Sequence, residues 1–255
     1  MHFIHSGWVK NINTSTLAFD IAQFFPSINH QLLPHIFNRA DFDLKVSRFF
    51  QNYLVGWKTQ YVWNSFSFSF FNIDIGVGQS LVLFSILFAL YISLVLHIFE
   101  NCLKSLKIPI SFLSFVDDGL LVTQNKSLTV SNSFLFYSYQ IISSFLDRFS
   151  LKLEHGKTEI FHFLRSTSLF NPPPLDLSPL GGPILQLKNS WRYLDFIFDR
   201  KLTFHIHIDF YANKAISMVK CVKLLGNSTC GLISQQKCLL YRSCVLPIAL
   251  YGFQF

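Results

Sequence analysis

The stretch Ser114-Phe115-Val116-Asp117-Asp118-Gly119-Leu120-Leu121-Val122 joins two apolar β-type runs through a pair of carboxylates and a glycine. It reads as a hairpin that carries both acids at an Asp-Asp-Gly turn. Adjacent aspartates repel each other and are costly to desolvate between hydrophobic strands, so such a tip calls for a cation. Mg²⁺ is the expected one, because hard divalent ions take carboxylate oxygens and bring phosphates with them. A solvated Asp-Gly turn accounts for the same residues, and the stretch by itself leaves both readings open.

Outward from that hairpin, a chain of 255 residues with 51% hydrophobic content and 30 Phe can bury one substantial core, with room for a small appended subdomain, and is not disordered. The net charge of +7 makes a polyanion the natural partner. Nearly all of the excess lies at the end, where Arg200, Lys201, Lys214, Lys220, Lys223, Lys237 and Arg242 face the single acid Asp209. Cys102, Cys221, Cys230, Cys238 and Cys244 include no C-x-x-C pair, and no secretory leader pattern opens the chain. They read as reduced, mostly buried thiols of an intracellular protein, with a zinc site as the rival use. Leu81 to Leu96 is uncharged and apolar, and extended over residues 80–97 it approaches the length of a membrane span.

In order, Met1 to Thr16 gives no clear element, and Leu17-Ala18-Phe19-Asp20-Ile21 reads as a buried strand ending on a carboxylate. Phe24 to Asn29 turns the chain, with Asn29 as a cap for a helix over His30 to Arg39, and a second helix fits Leu44 to Leu54. Gln60 to Ile75 alternates Phe with Ser, which predicts a half-buried hairpin. Gly76-Val77-Gly78-Gln79 then opens a helix from about Ser80 to Leu106. After the aspartate hairpin come a helix over Ser131 to Phe149 and strands at Leu151 to Leu153 and Ile160 to Leu164. A Pro/Gly-rich loop over 171–183, a hairpin over Trp191 to Phe204 and helices over Ile208 to Leu225 and Ser234 to Leu250 follow. Pro247 should end or kink the last helix.

A strand ending in Asp20, a glycine loop with Gln79, the Asp117-Asp118 hairpin and a loop lysine at Lys157 occur in an order that resembles the palm of reverse transcriptases of non-LTR (LINE-type) retrotransposons, most closely the fungal Tad-like group. Phe19-Asp20-Ile21-Ala22-Gln23-Phe24-Phe25 is similar to the first palm motif, and Gly76-Val77-Gly78-Gln79 with Ile86 to Tyr91 to the second. Phe115-Val116-Asp117-Asp118 resembles the third, His155-Gly156-Lys157-Thr158-Glu159 the fourth, and Trp191-Arg192-Tyr193-Leu194 with residues to Ile208 the fifth. The resemblance implies an α+β fold: a polymerase palm of antiparallel sheet with helices on one face over residues 1–204, then a helical basic thumb fragment over 205–255, with the fingers largely missing. It implies RNA-directed DNA polymerisation by two-metal nucleotidyl transfer, with an RNA template, a DNA primer and dNTP as partners and no membrane.

By the same resemblance Asp20 and Asp117 bridge two Mg²⁺ ions, or Mn²⁺ in their place, with Asp118 in support. The Ile21 carbonyl adds a ligand, Phe25 packs under the sugar, Gln79 touches the nucleotide or template, and Lys157 serves the leaving pyrophosphate as charge or acid. Tyr193 and Leu194 belong to the primer grip, and Lys214, Lys220, Lys223, Lys237 and Arg242 track the nucleic-acid backbone. A nuclear location follows from the family alone. Fingers and endonuclease segments would come from a full-length element.

The chain departs from the family pattern in two places. Ser80-Leu81-Val82-Leu83-Phe84-Ser85 replaces a Gly-, Ser- and Pro-bearing continuation of the second motif, and Asp195 stands where the fifth motif has Gly. Gly to Ser or Asp, Ser to Leu or Phe, Pro to Ser and Ala to Val are each single C-to-T or G-to-A changes, which points to a copy decayed by directional transitions; coding DNA without T or A at those codons, set against sister copies, would dispose of the idea. The same losses explain the apolar 80–97 run as a palm helix stripped of its Ser and Pro, and Ser80 and an unpaired Asp195 are expected to weaken the site. The isolated chain is therefore expected to be a weak or inactive enzyme. The rivals are a non-catalytic nucleic-acid-binding remnant and a membrane protein with a helix near 80–97.

Overall fold

Strand Asn13–Ala22 has neighbours on both sides, and that position explains its composition. The computed structural model describes residues 1–39, 43–77, 82–165, 173–225 and 231–253. In its central antiparallel sheet the order is Ile110–Phe115, Asp118–Asn125, Asn13–Ala22, Lys152–Leu153, and Glu159–Phe163 also pairs with Asn13–Ala22. Thr14, Ser15, Thr16, Leu17, Ala18, Phe19 and Ile21 are all buried, as befits a strand covered on both faces. The strand starts four residues before the expected Leu17, and helix His2–Val9 precedes it where no element was expected. Buried hydroxyls hid the extension: the Gln124 side chain donates to Thr14 Oγ1 at 3.2 Å, which makes a polar segment fit a core strand.

The chain divides into two compact units: Thr14–Ile160 with Asn171–Gln186, and Met1–Asn13 with Phe161–Phe170 and Leu187–Phe255. In the first, helices Val82–Ser105 and Leu128–Arg148 pack together and the second of them lies on the sheet. Leu87, Tyr91, Val95, Phe99 and Leu103, four residues apart in succession, are buried along one stripe of the Val82–Ser105 helix. Leu135, Tyr139, Ile142 and Leu146 form the matching stripe of Leu128–Arg148. Within the described part of the apolar 80–97 run, Leu87, Tyr91, Ile92 and Val95 are thus spent on a core. Among the described residues no helix is long and apolar enough to cross a membrane.

Helix Leu44–Leu54 has the expected bounds, with Asp43 accepting from the Lys45 backbone as its cap. The Phe-Ser alternation after it did not give a half-buried hairpin. Two-residue ladders, Lys58–Thr59 with Phe71–Asn72 and Val62–Trp63 with Phe66–Ser67, project so that Phe66, Phe68 and Phe70 are all exposed.

In the second unit, hairpin Ser190–Tyr193/Phe196–Asp199 packs its Trp191 between Phe161, Tyr193 and Phe198, with ring centroids 5.0–5.7 Å away. Helix His205–Leu224 follows. The last helical stretch, Ser234–Leu240, widens into a π turn over Tyr241–Val245 and continues over Leu246–Ala249, so Pro247, which cannot donate back to the preceding turn, is met by a wider turn.

Candidate functional site

The hairpin turn is made by Val116 and Asp117, not by Asp-Asp-Gly. Phe115 pairs with Asp118 and Ser114 with Gly119, so Asp118 opens the second strand and Gly119 lies inside it. Leu120, Leu121 and Val122 are all buried, which makes this the central-type strand of the pair, while Leu113 and Phe115 on the outer strand are exposed. Burying that triplet fixes the register, and the register puts the turn one residue earlier than turn propensity suggests. Val116 then takes φ +54, a left-handed conformation that costs a β-branched residue about 1–3 kcal/mol. Gly119 is needed for another reason: a Cβ there would run into the buried Phe19 ring of the neighbouring strand.

The hairpin tip meets the end of strand Asn13–Ala22. The Ile21 backbone N–H donates to the Asp117 carbonyl at 3.1 Å, and on the other side the Glu154 N–H donates to the Asp20 carbonyl at 2.9 Å. Asp20 is thereby held between the aspartate hairpin and the turn His155–Lys157, whose Lys157 Nζ lies 2.6 Å from Asp20 Oδ2. Burial raises the Asp118 carboxyl above the ordinary carboxylate value, repulsion from Asp117 and Asp20 adds to this, and Lys157 opposes it. Lys157 is raised in turn, by its hydrogen bond to Asp20 and by that carboxylate's charge. Asp118 therefore feels both its neighbour Asp117 and the sequence-distant Asp20.

The lysine turn has an anchor that no sequence signal assigned. The Tyr139 hydroxyl on helix Leu128–Arg148 lies 2.7 Å from His155 Nδ1 and 3.0 Å from Thr158 Oγ1. A buried tyrosine in an apolar helix stripe, whose hydroxyl must find a partner, is the signal that could have found it.

Hard carboxylate oxygens with an excess of mutual repulsion have the donor chemistry of a Mg²⁺ site. Asp20 near the end of strand Asn13–Ala22 and Asp117 in the turn of the adjoining hairpin, with Asp118 beside it, are the residues that would hold it. Among the described residues, however, no three His, Cys, Asp or Glu side chains are gathered as a ready ligand set, and Asp20 carries the Lys157 ammonium. Next to this site the second motif's loop closes on the first: the Val77 N–H donates to the Phe25 carbonyl at 2.9 Å and Gly76 N–H to Ile28 at 2.7 Å. Gly76 has φ +94, and a Cβ there would sit 2.9 Å from the Pro26 carbonyl oxygen, so glycine is required. Phe25 is half-buried in this segment. Gln79 and Ser80 lie outside the described residues.

No protein-family model matches the chain, and no curated protein matches it. Solved structures do. Telomerase from Candida tropicalis in complex with the TWJ fragment of telomeric RNA is similar over 100% of this chain and 42% of its own, with a TM-score of 0.55 at 13% identity. The fold is reverse-transcriptase-like. Apo telomerase from the same organism, truncated from its C-terminal domain, gives 0.48 at 15% identity over 79% of this chain and 37% of that one. The Candida albicans telomerase in complex with the same RNA fragment gives 0.40 at 15% over 94% and 39%. The chain spans less than half the length of each telomerase chain that it matches.

The remaining expected residues fall in the other compact unit. Tyr193 stacks on Trp191, and Leu194 and Asp195 form the hairpin turn with φ +46 and +65. Asp195 is not an unpaired charge: its carboxylate accepts from Arg192 Nη2 at 2.6 Å, three residues back across the turn. The Tyr251 hydroxyl donates to the Leu194 carbonyl at 3.1 Å and that of Tyr211 to the Asp195 carbonyl at 3.0 Å, fixing the turn on the helices that follow. Lys214, Lys220, Lys223 and Arg242 are exposed and Lys237 half-buried. Lys220 and Lys223 share a helix face, whereas Lys214 lies about half a turn round from Lys223 with its ammonium over the Tyr211 ring. The basic residues of this helix do not form a single stripe.

Proposed function

We propose that this chain is the palm and part of the thumb of a reverse transcriptase of non-LTR retrotransposon type. In this reading it acts on an RNA template, a DNA primer and dNTP, and its isolated activity is weak or absent. The observation that carries the reading is the backbone hydrogen bond from Ile21 to Asp117, which brings the hairpin turn holding Asp117 to the strand end that holds Asp20, with Lys157 on Asp20. When bound, Mg²⁺ supplies charge neutralisation at the attacking and leaving oxygens of phosphoryl transfer. Asp20 and Asp117 offer the oxygens that hold it, and Asp118 adds negative charge beside them. Lys157, whose ammonium persists above the ordinary lysine range, keeps a proton at Nζ for a developing pyrophosphate charge. Residues 205–255 supply thumb helices with sequence-tolerant phosphate contacts.

The Lys157 ammonium on Asp20 favours a second reading, a non-catalytic nucleic-acid-binding remnant in which the lysine has taken over the cation's charge. Primer extension on an RNA template with Mg²⁺ separates the two. Incorporation that disappears in Asp117→Asn, with template binding retained, supports the enzyme. Template binding with no calorimetric Mg²⁺ binding by the parent chain supports the remnant, and incorporation that survives in Asp117→Asn refutes the site.

A further inference from the structure

A set of exposed aromatic rings in the Thr14–Ile160 unit is unused by the carboxylate site. On helix Leu44–Leu54, Phe49 is exposed and stacks on Tyr53 at 6.0 Å, and Tyr53 meets Trp57 edge-on at 5.5 Å. Further ring pairs stand on the ladders, where Tyr61 lies 5.3 Å from Phe71, and Phe66 meets Phe68 edge-on at 5.1 Å. Trp63 is 76% exposed, Tyr61 67% and Phe66 62%, which is far more than packing requires. These rings are held in place. The Trp57 indole donates to the Tyr53 carbonyl at 2.6 Å, Phe68 N–H to Tyr61 at 2.9 Å, Ile73 N–H to Trp57 at 2.9 Å, and Gln60 Nε2 to Phe68 at 2.7 Å.

The charge of the segment selects the occupant. Between Asp43 and Asp74 there is no acid, while Lys45, Arg48 and Lys58 are present and exposed. Ser65, Ser67, Ser69 and Asn72 interleave with the rings and offer hydrogen bonds, a pattern too polar for an acyl-chain surface. We infer that this face binds single-stranded nucleic acid by stacking unpaired bases on Trp63, Phe66 and their neighbours, with the three basic residues on the backbone phosphates. A duplex hides its base faces, so single strands are the ligand class that fits exposed rings with positive charge. The inference does not rest on the carboxylates and holds for an inactive chain.

The test uses the full chain and labelled 12-nucleotide oligo(U) and oligo(dT), read by fluorescence anisotropy at several salt concentrations. Trp63→Ala with Phe66→Ala should weaken binding about tenfold or more, since each stacked base contributes strongly in such sites. Trp63→Phe should retain most of it, which rules out an unfolding artefact. Replacing Lys45, Arg48 and Lys58 by Gln should flatten the salt dependence by a slope of about 2. The binding is measured without Mg²⁺ and without dNTP, so a failed polymerase reading and a failed stacking face are distinguishable. Parental affinity in the double alanine variant overturns the inference. So does ring-dependent binding to phosphatidylserine vesicles, or ring-dependent dimerisation, when oligonucleotide binding does not depend on the rings.

Discussion

Gly119→Ala tests the packing that sets the site. The new Cβ would enter the ring of Phe19, which is buried between Phe112, stacked at 6.1 Å, and Tyr139, edge-on at 5.9 Å. The void beside it, lined by Phe19, Ile21, Phe112, Gly119 and Ile142 among others, measures about 10 Å³, which admits at most one water and cannot absorb a displaced ring. Overpacking of this kind costs about 1–3 kcal/mol, against which the loss of glycine's freedom in the unfolded chain returns about 0.4–1 kcal/mol. A net loss of about 1–2 kcal/mol should lower Tm by about 2–4 °C per kcal/mol. Thermal unfolding without divalent ions reads this independently of function. Phe19→Leu added to Gly119→Ala should recover much of the loss, because the clash is with the ring. A Gly119→Ala chain as stable as the parent, or two substitutions that simply add, would refute the reasoning.

Four further outcomes follow from the charges and turns. Because burial and its acidic neighbours raise Asp118, the folded chain binds that proton more tightly than the unfolded one, so stability is lost as pH rises through the folded value; Asp118→Asn should raise Tm at pH 7, with the gain vanishing below the ordinary carboxylate range. His162, pushed down to about 4 first by burial and then by Arg200, contributes stability above its ordinary 6.5 that drains away on acidification, about 3 kcal/mol in all. An NMR titration that finds the ring protonating near 6.5 would contradict this. Lys157→Met should tighten Mg²⁺ binding by calorimetry, by removing a competing ammonium from Asp20, while lowering any incorporation; unchanged affinity would mean that the lysine does not share the ion's place. Leu194→Asn should stabilise the 190–199 hairpin by about 0.5–1 kcal/mol in chemical denaturation, since both central turn residues have positive φ and Asn accepts that conformation.

How much of this was legible depended on whether a local pattern agreed with what packs against it. Leu44–Leu54 was readable because one amphipathic helix face and its Asp43 cap specify the same element. The aspartate hairpin was placed correctly, but its turn was misassigned. Asp-Asp-Gly is the better local turn, and only the buried Leu120-Leu121-Val122 triplet decides for Val116-Asp117. Gly119 looked like turn chemistry when its necessity comes from Phe19, a hundred residues earlier. The Phe-Ser alternation carried the right period for a strand and no information that its apolar side would lack a covering layer. Asp195 was read as unpaired because Arg192 reaches it only once both turn residues adopt positive φ.

The costs in the Thr14–Ile160 unit gather where the acids do. Val116 holds a conformation that β-branched residues avoid, Asp118 is partly desolvated among like charges, and Asp20 needs Lys157 beside it. Asparagine would relieve strain at 116 or repulsion at 118. They persist because the strands behind them are stable enough to carry them, with Leu17, Leu121 and Leu135 fully buried directly behind the tip's strands and helix. A hairpin whose only task was to close the sheet would favour Asn-Gly at that turn. A strained turn that brings Asp117 to the end of the strand bearing Asp20 makes physical sense when something positive is to be held there, and Lys157 on Asp20 shows that the demand for positive charge is already felt by the protein itself.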